Sequence, residues 1–129
     1  MNHSGKFLVK FIKTQKAAQK LIVVYDDLDL ALGTFKISYN KSSGGHRGVE
    51  SVIKSLKTEE FIRVRIGIAP TTPTGKIKKP KGEKAVLDFI LSEFKPKETE
   101  ILKKVFKKVS EAIVCIAEDG RERAMNVYN

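Results

Sequence analysis

Cysteine is almost absent from this chain. Cys115 is the only one in 129 residues, so no disulfide can form within it. That thiol sits in the apolar run Ala112-Ile-Val-Cys-Ile-Ala117, which marks it as a packed side chain rather than a nucleophile. Long apolar stretches are missing as well: none approaches the roughly 20 residues that a membrane-spanning helix needs. The opening Met1-Asn-His-Ser-Gly5 has no basic segment followed by an apolar one, so no signal peptide is expected. No internal repeat and no P-loop is present. Acidic residues are in short supply, 15 against 25 lysines and arginines, which leaves a formal net charge of +10. Such a surplus favours a polyanionic partner such as nucleic acid; the alternative is a lysine-rich surface tuned for solubility.

What the chain does contain is ordinary for a globular protein: 41% hydrophobic and 31% charged residues. The length allows one domain with a real core, and not two. Asn2 or Ser4 can cap a helix over residues 3–18, with Phe7, Leu8, Phe11 and Ile12 on one face. Leu21 to Val24 is a continuous apolar run, as in a strand covered on both faces. Gly33 to Tyr39 alternates and predicts a second strand. Val49, Val52, Ile53 and Leu56 have helical spacing. Phe61 to Ile68 predicts a third strand, with Arg63 and Arg65 on one face. Residues 71–83 hold prolines, glycines and four lysines and read as a mobile basic loop. Ala85 to Leu91 is a short helix. Pro96 then opens a long one, with a stripe of Ile101, Leu102, Val105, Phe106, Val109, Ala112, Ile113 and Ile116. A short helix over Arg121 to Tyr128 ends the chain. Strands alternating with helices predict an α/β fold: a mixed, mostly parallel sheet flanked by helices.

Two segments are candidates for chemistry. Asp26, Asp27 and Asp29 follow the first apolar run. They suit a magnesium site, or an aspartate that orients a histidine base, or plain turn chemistry at a strand end. Gly44-Gly-His-Arg-Gly48 is a glycine turn opening a helix, whose mouth offers backbone N–H groups to a phosphate or an oxyanion. His46 there is a base, a ligand contact or a capping side chain. Arg47 at the helix start opposes the dipole, so an anionic partner explains it better than stability does. His3 lies among polar residues near the terminus and is incidental. Lys36, Lys41, Arg47, Arg63 and Arg65, with the loop at 76–84, form a candidate basic rim for backbone phosphates. Singly, each lysine is a solvated surface group. Tyr25, Phe35 and Tyr39 are available for stacking.

Taken in order, Met1-Asn2-x-Ser4-Gly5, Asp26-Asp27-Leu28-Asp29-Leu30, Ser42-x-Gly44-Gly45-His46-x-Gly48 and Arg63-Val64-Arg65-Ile66-Gly67-Ile68 resemble the bacterial peptidyl-tRNA hydrolase family. Val86-x-x-Phe89-x-Leu91 and Asp119-Gly120 extend the likeness along nearly the whole chain. The resemblance implies an esterase that frees a peptide from the 3′ ribose of its tRNA and so recycles tRNA. It implies a cytoplasmic monomer with no metal or other cofactor and no membrane partner. By the same resemblance, Asn2 places substrate and the attacking water, Asp26 orients the catalytic histidine, and His46 is a substrate-side residue. Where the family usually has asparagine after that histidine, this chain has Arg47, which can trade an amide contact for a charge contact to phosphate.

The family also carries a Gly-x-Gly-Asn-Pro-Gly turn after a first strand, then Thr-Arg-His-Asn, whose histidine is the base. These 129 residues contain neither string. The expectation is therefore a single partial domain over residues 1–129, weakly stable and nearly inactive, with strand edges and apolar faces left open. Two rivals stand beside the hydrolase. One is a non-catalytic RNA-binding module on the same scaffold, as in the family's likenesses in chloroplast intron splicing. The other is magnesium-dependent phosphoryl transfer through Asp26 and Asp29.

Overall fold

The apolar run at Leu21–Val24 starts a strand, but the carboxylates after it do not end that strand. The computed structural model describes residues 4–129. Its elements are α1 (Ser4–Leu8), α2 (Gln15–Ala18), β1 (Ile22–Ala31), β2 (Phe35–Tyr39), α3 (Arg47–Leu56), β3 (Ile62–Ala69), α4 (Glu83–Leu91), α5 (Pro96–Asp119) and α6 (Arg121–Tyr128). The strands form a sheet of order β1-β3-β2. Asp27 pairs with Arg65, and further along the Leu32 N–H bonds the Ala69 carbonyl, so β1 and β3 run parallel. The Gly67 N–H bonds Thr34 before β2, whereas Arg63 reaches Ser42 after it, so β2 runs antiparallel to β3. The sheet is mixed, and helices flank it.

The chain divides into two compact units. The first is residues 1–25 with 37–64, and the second is residues 26–36 with 65–129. The first unit is built around Val23 and Tyr25 of β1, Val49 and Val52 of α3, and Phe61, with Leu8, Leu21, Ile53 and Leu56 packed against them. Each full burial of such a side chain contributes about 1.5–3 kcal/mol. The helix expected over residues 3–18 is broken. α1 stops at Leu8, and Thr14 then caps α2 by accepting the Ala17 N–H on its hydroxyl. Of its expected apolar face only Leu8 packs on the core; Phe7 and Phe11 are exposed, ring beside ring at 5.2 Å. The Gly5 N–H bonds the Ser51 hydroxyl at 3.2 Å, tying α1 to α3.

In the second unit α5 buries Leu102, Val105, Val109, Ala112 and Ile116, a three-four spacing that makes one narrow stripe. Ile101 and Phe106, expected in the stripe, flank it and are exposed. Pro96 opens α5, and Gly120 at φ 90° turns the chain into α6, which packs back on α5. The loop after β3 is partly ordered. Thr71 bridges Ile77, and the Thr72 N–H bonds the Lys76 carbonyl at 2.8 Å. Gly67 lets β1 and β3 approach closely, because a Cβ there would collide with the Ala31 carbonyl and lie 2.8 Å from that of Leu30.

Candidate active site

In the first unit, the turn before α3 is wired through its own side chains. Gly44 and Gly45 have φ of 58° and 86°, which glycine adopts without strain. The Ser43 carbonyl accepts the His46 N–H at 3.1 Å, and the Ser43 hydroxyl accepts the Gly45 N–H at 3.2 Å. That hydroxyl also donates to Glu50 at 3.2 Å. His46 is the N-cap of α3: its Nδ1 accepts the Val49 N–H at 3.2 Å. Of the three roles open to His46 in the sequence, capping is the one the backbone uses. A neutral imidazole that accepts at Nδ1 carries its proton on Nε2 and is a hydrogen-bond donor there. The edge of the ring meets Tyr25, with centroids 4.9 Å apart.

The helix mouth is less open to an anion than the glycines suggest. The N–H groups of Gly45, His46 and Val49 are all taken by Ser43 and His46 themselves. Arg47, the first residue of α3, is exposed, as is Lys41 before the turn. Arg63 departs from the expected basic rim. It is 0% exposed, and its guanidinium donates to the carbonyls of Ser42 at 2.8 Å and Glu59 at 3.2 Å. It also lies 4.2 Å from the centre of the Phe61 ring. A wholly buried guanidinium cannot meet a solvated phosphate backbone, so Arg63 is removed from the rim.

In the second unit, Asp26, Asp27 and Asp29 lie within β1 rather than after it. Regular alternation of buried and exposed residues stops there, and Asp27 makes a local side-chain contact to the backbone. Its Oδ1 accepts the Asp29 N–H at 2.8 Å. Its Oδ2 accepts from Arg65 Nε at 2.7 Å, with both side chains largely buried, so the charge of Arg65 is already matched. Asp29 pairs with Lys79 of the basic loop at 2.8 Å, both half-exposed. Two of the three carboxylates are thus turned to cations of this chain, which takes the ligand set away from the magnesium reading. Lys36 is exposed on β2, and Asp26 is partly buried. Asn2 and His3 lie outside the described residues.

The two ion pairs differ in worth. Asp27→Asn is expected to lower stability by about 2–3 kcal/mol, because it removes a charged, desolvated hydrogen bond. Asp29→Asn is expected to cost under about 1 kcal/mol, as exposed pairs do. Urea unfolding of both variants checks the ranking; equal losses would contradict it.

A family model described as peptidyl-tRNA hydrolase matches residues 1–129, the whole chain. The chain belongs to the peptidyl-tRNA hydrolase family. It is 42% identical over 130 residues to the peptidyl-tRNA hydrolase of Hydrogenobaculum sp. (strain Y04AAS1), covering 100% of this chain and 64% of that protein. With the peptidyl-tRNA hydrolase of Aquifex aeolicus it shares 39% identity, covering 100% of this chain and 63% of that one. The chain thus spans under two thirds of the length of these relatives. The crystal structure of peptidyl-tRNA hydrolase from Acinetobacter baumannii superposes with a TM-score of 0.82 at 23% identity, covering 100% of this chain and 61% of that one. That likeness confirms the α/β fold with its mixed sheet.

Within this family chain, sequence patterns located the glycine turn and the aspartate strand but missed how each is held. Nothing in the spacing announced the Asp27–Arg65 pair, since the partners are 38 residues apart. The alternation of Phe61 to Ile68 put Arg63 and Arg65 on one face but did not say that the face is covered.

Proposed function

We propose that the chain acts on peptidyl-tRNA, receiving the peptide-bearing 3′ end of the tRNA at the His46 turn for hydrolysis of the ester. The observation that carries this reading is the capped imidazole. With Nδ1 accepting from α3, a neutral His46 carries its proton on Nε2, a donor of the kind that suits a substrate carbonyl oxygen and not a base. Asp26, the residue after Tyr25, is the carboxylate that the family likeness makes the orienting partner of a histidine base. Asn2 places the substrate and the water by the same likeness. A carboxylate of this kind fixes a tautomer and stabilises the imidazolium that forms as water is deprotonated. Arg47, Lys41 and Lys36 supply exposed positive charge for tRNA phosphates. The reading includes a cytoplasmic monomer and a reaction without metal.

Retention of the two roles of His46 can be separated. Asparagine is a better N-cap than histidine, so His46→Asn is expected to leave the melting temperature unchanged or slightly raised. Its affinity for a tRNA end carrying a peptide through a hydrolysis-resistant amide is expected to fall about tenfold, the loss of one hydrogen bond of about 1.4 kcal/mol. His46→Ala is expected to lose that affinity and also about 1 kcal/mol of stability. Unchanged affinity in both variants would show that the imidazole does not meet the substrate.

The second reading, an RNA-binding module without catalysis, is favoured by one observation: the exposed cations beside the turn. It predicts equal affinity for tRNA with and without a peptide.

A further inference from the structure

We infer that Arg63 is a positioning residue for the His46 turn: from inside the first unit, its guanidinium holds the Ser42 carbonyl and thereby sets where His46 presents its ring. The inference rests on the reading of His46 as a substrate contact.

The side chain is an unusual one to bury. It is 0% exposed, its Nε has no hydrogen-bond partner among the described residues, and its two bonds go to backbone carbonyls rather than carboxylates. Burying a cation without a counter-charge is costly, and an apolar side chain of similar volume is often as stable or more so. Stability alone therefore does not explain a guanidinium at this position. The geometry supplies one. The Ser42 carbonyl, 2.8 Å from the guanidinium, sits immediately before Ser43, whose carbonyl and hydroxyl hold the N–H groups of His46 and Gly45. The turn is thus strung between two anchors. At one end Arg63 grips Ser42; at the other, His46 Nδ1 grips the Val49 N–H of α3. Between them lie two glycines in the left-handed region, with no side chains to restrict them.

The second carbonyl, that of Glu59, and the Phe61 ring fix the guanidinium plane in turn. Arginine has the planar fork needed to reach two carbonyls while stacked on a ring; lysine, a point donor, does not. Loss of the grip would let the glycines wander and spread the orientations of the imidazole without unfolding α3.

Amide hydrogen exchange on the 129-residue chain tests this, with Arg63→Met and Arg63→Lys as variants. Ser42 and Glu59 are exposed residues, and the Glu59 carbonyl keeps the Phe61 N–H at 2.9 Å when the guanidinium is gone. In Arg63→Met the amides of Gly45, His46 and Val49 are expected to exchange at least tenfold faster, while those of Val52 and Ile53 in the same helix keep the wild-type rate. A merely structural role would speed all five together. In a parallel binding measurement, the preference for an acceptor-stem RNA hairpin carrying an amide-linked peptide over the bare hairpin should fall about tenfold in Arg63→Met. Arg63→Lys should fall between it and the wild type. Should Arg63→Met not fold, the turn amides of Arg63→Lys decide. Turn amides that exchange at the wild-type rate, or uniform acceleration across α3, would overturn the inference. A wild-type chain with no preference between the two hairpins would remove the functional reading of His46, and the exchange pattern alone would then decide the role of Arg63.

Discussion

Purified as these 129 residues, the protein is expected to release peptide from peptidyl-tRNA about 10²–10⁴-fold more slowly than the Aquifex aeolicus peptidyl-tRNA hydrolase, the range a general base contributes. The reason lies in the histidines. The family likeness places the base in a Thr-Arg-His-Asn string that these residues do not contain. His46 cannot take its place while Nδ1 accepts from Val49, because the other nitrogen already holds a proton. On the proposed reading, Asp26 as orienting carboxylate and His46 as carbonyl donor remain, and positioning alone leaves part of the acceleration. Two further outcomes follow. Free imidazole in the buffer, an exogenous base, is expected to raise the rate in proportion to its neutral form. Asp26→Asn is expected to blunt that rescue, since the imidazolium then loses its stabilising carboxylate. Single-turnover release of labelled peptide reads both. Turnover matching the relative's would mean that a base lies within these residues after all.

The largest loss of stability is expected from a single methyl group. Gly67→Ala would push a Cβ into the Ala31 carbonyl and to 2.8 Å from that of Leu30. Neither atom belongs to a side chain that can swing away. The Ala31 carbonyl is itself held, accepting the Thr34 N–H at 3.1 Å and the Thr34 hydroxyl at 2.7 Å. Relief therefore requires β1 and β3 to part where Leu32 bonds Ala69 and Gly67 bonds Thr34. Overpacking of this kind costs about 3 kcal/mol or more when backbone must move. In urea, with a slope of about 1–3 kcal/mol/M, the midpoint should fall by at least about 1 M. A midpoint unchanged from the wild type would show that the strands are not packed this closely.

Patterns with a period were legible in the sequence. The stripe of α5 repeats every three or four residues, and its buried members Leu102, Val105, Val109, Ala112 and Ile116 all lie within the predicted set, although Ile101 and Phe106, predicted with them, are exposed. The apolar run Leu21–Val24 announced β1, and Gly44-Gly45 announced the turn into α3. What the sequence hid was decided by contacts across the chain. β1 continues through three aspartates because Arg65 and Lys79 meet two of them; without knowing those partners, three carboxylates look like the end of a strand. The expected first helix is two: α1 ends at Leu8, and Thr14 starts α2 by taking the Ala17 N–H on its hydroxyl, a local capping that apolar spacing does not register. Arg63 is the sharpest case. In a strand of alternating character an arginine reads as a solvent-side charge, and only the carbonyls of Ser42 and Glu59 explain its burial. For the site, the residues were visible as motifs, and the roles proposed for Asp26 and Asn2 rest on what the family likeness implies. The orientation of His46 came from its cap, which a sequence can suggest but not choose among a base, a contact and a cap.

One equilibrium measurement separates a peptidyl-tRNA site from a generally basic surface. Titrate the 129-residue chain with one tRNA in two forms, bare and carrying a peptide through a hydrolysis-resistant amide, at a fixed salt concentration. Tighter binding of the peptide-bearing form is expected, by about tenfold for one added hydrogen bond, with the advantage lost in His46→Asn. Equal affinity for the two forms, in wild type and variant alike, would contradict it and leave only charge-driven RNA binding.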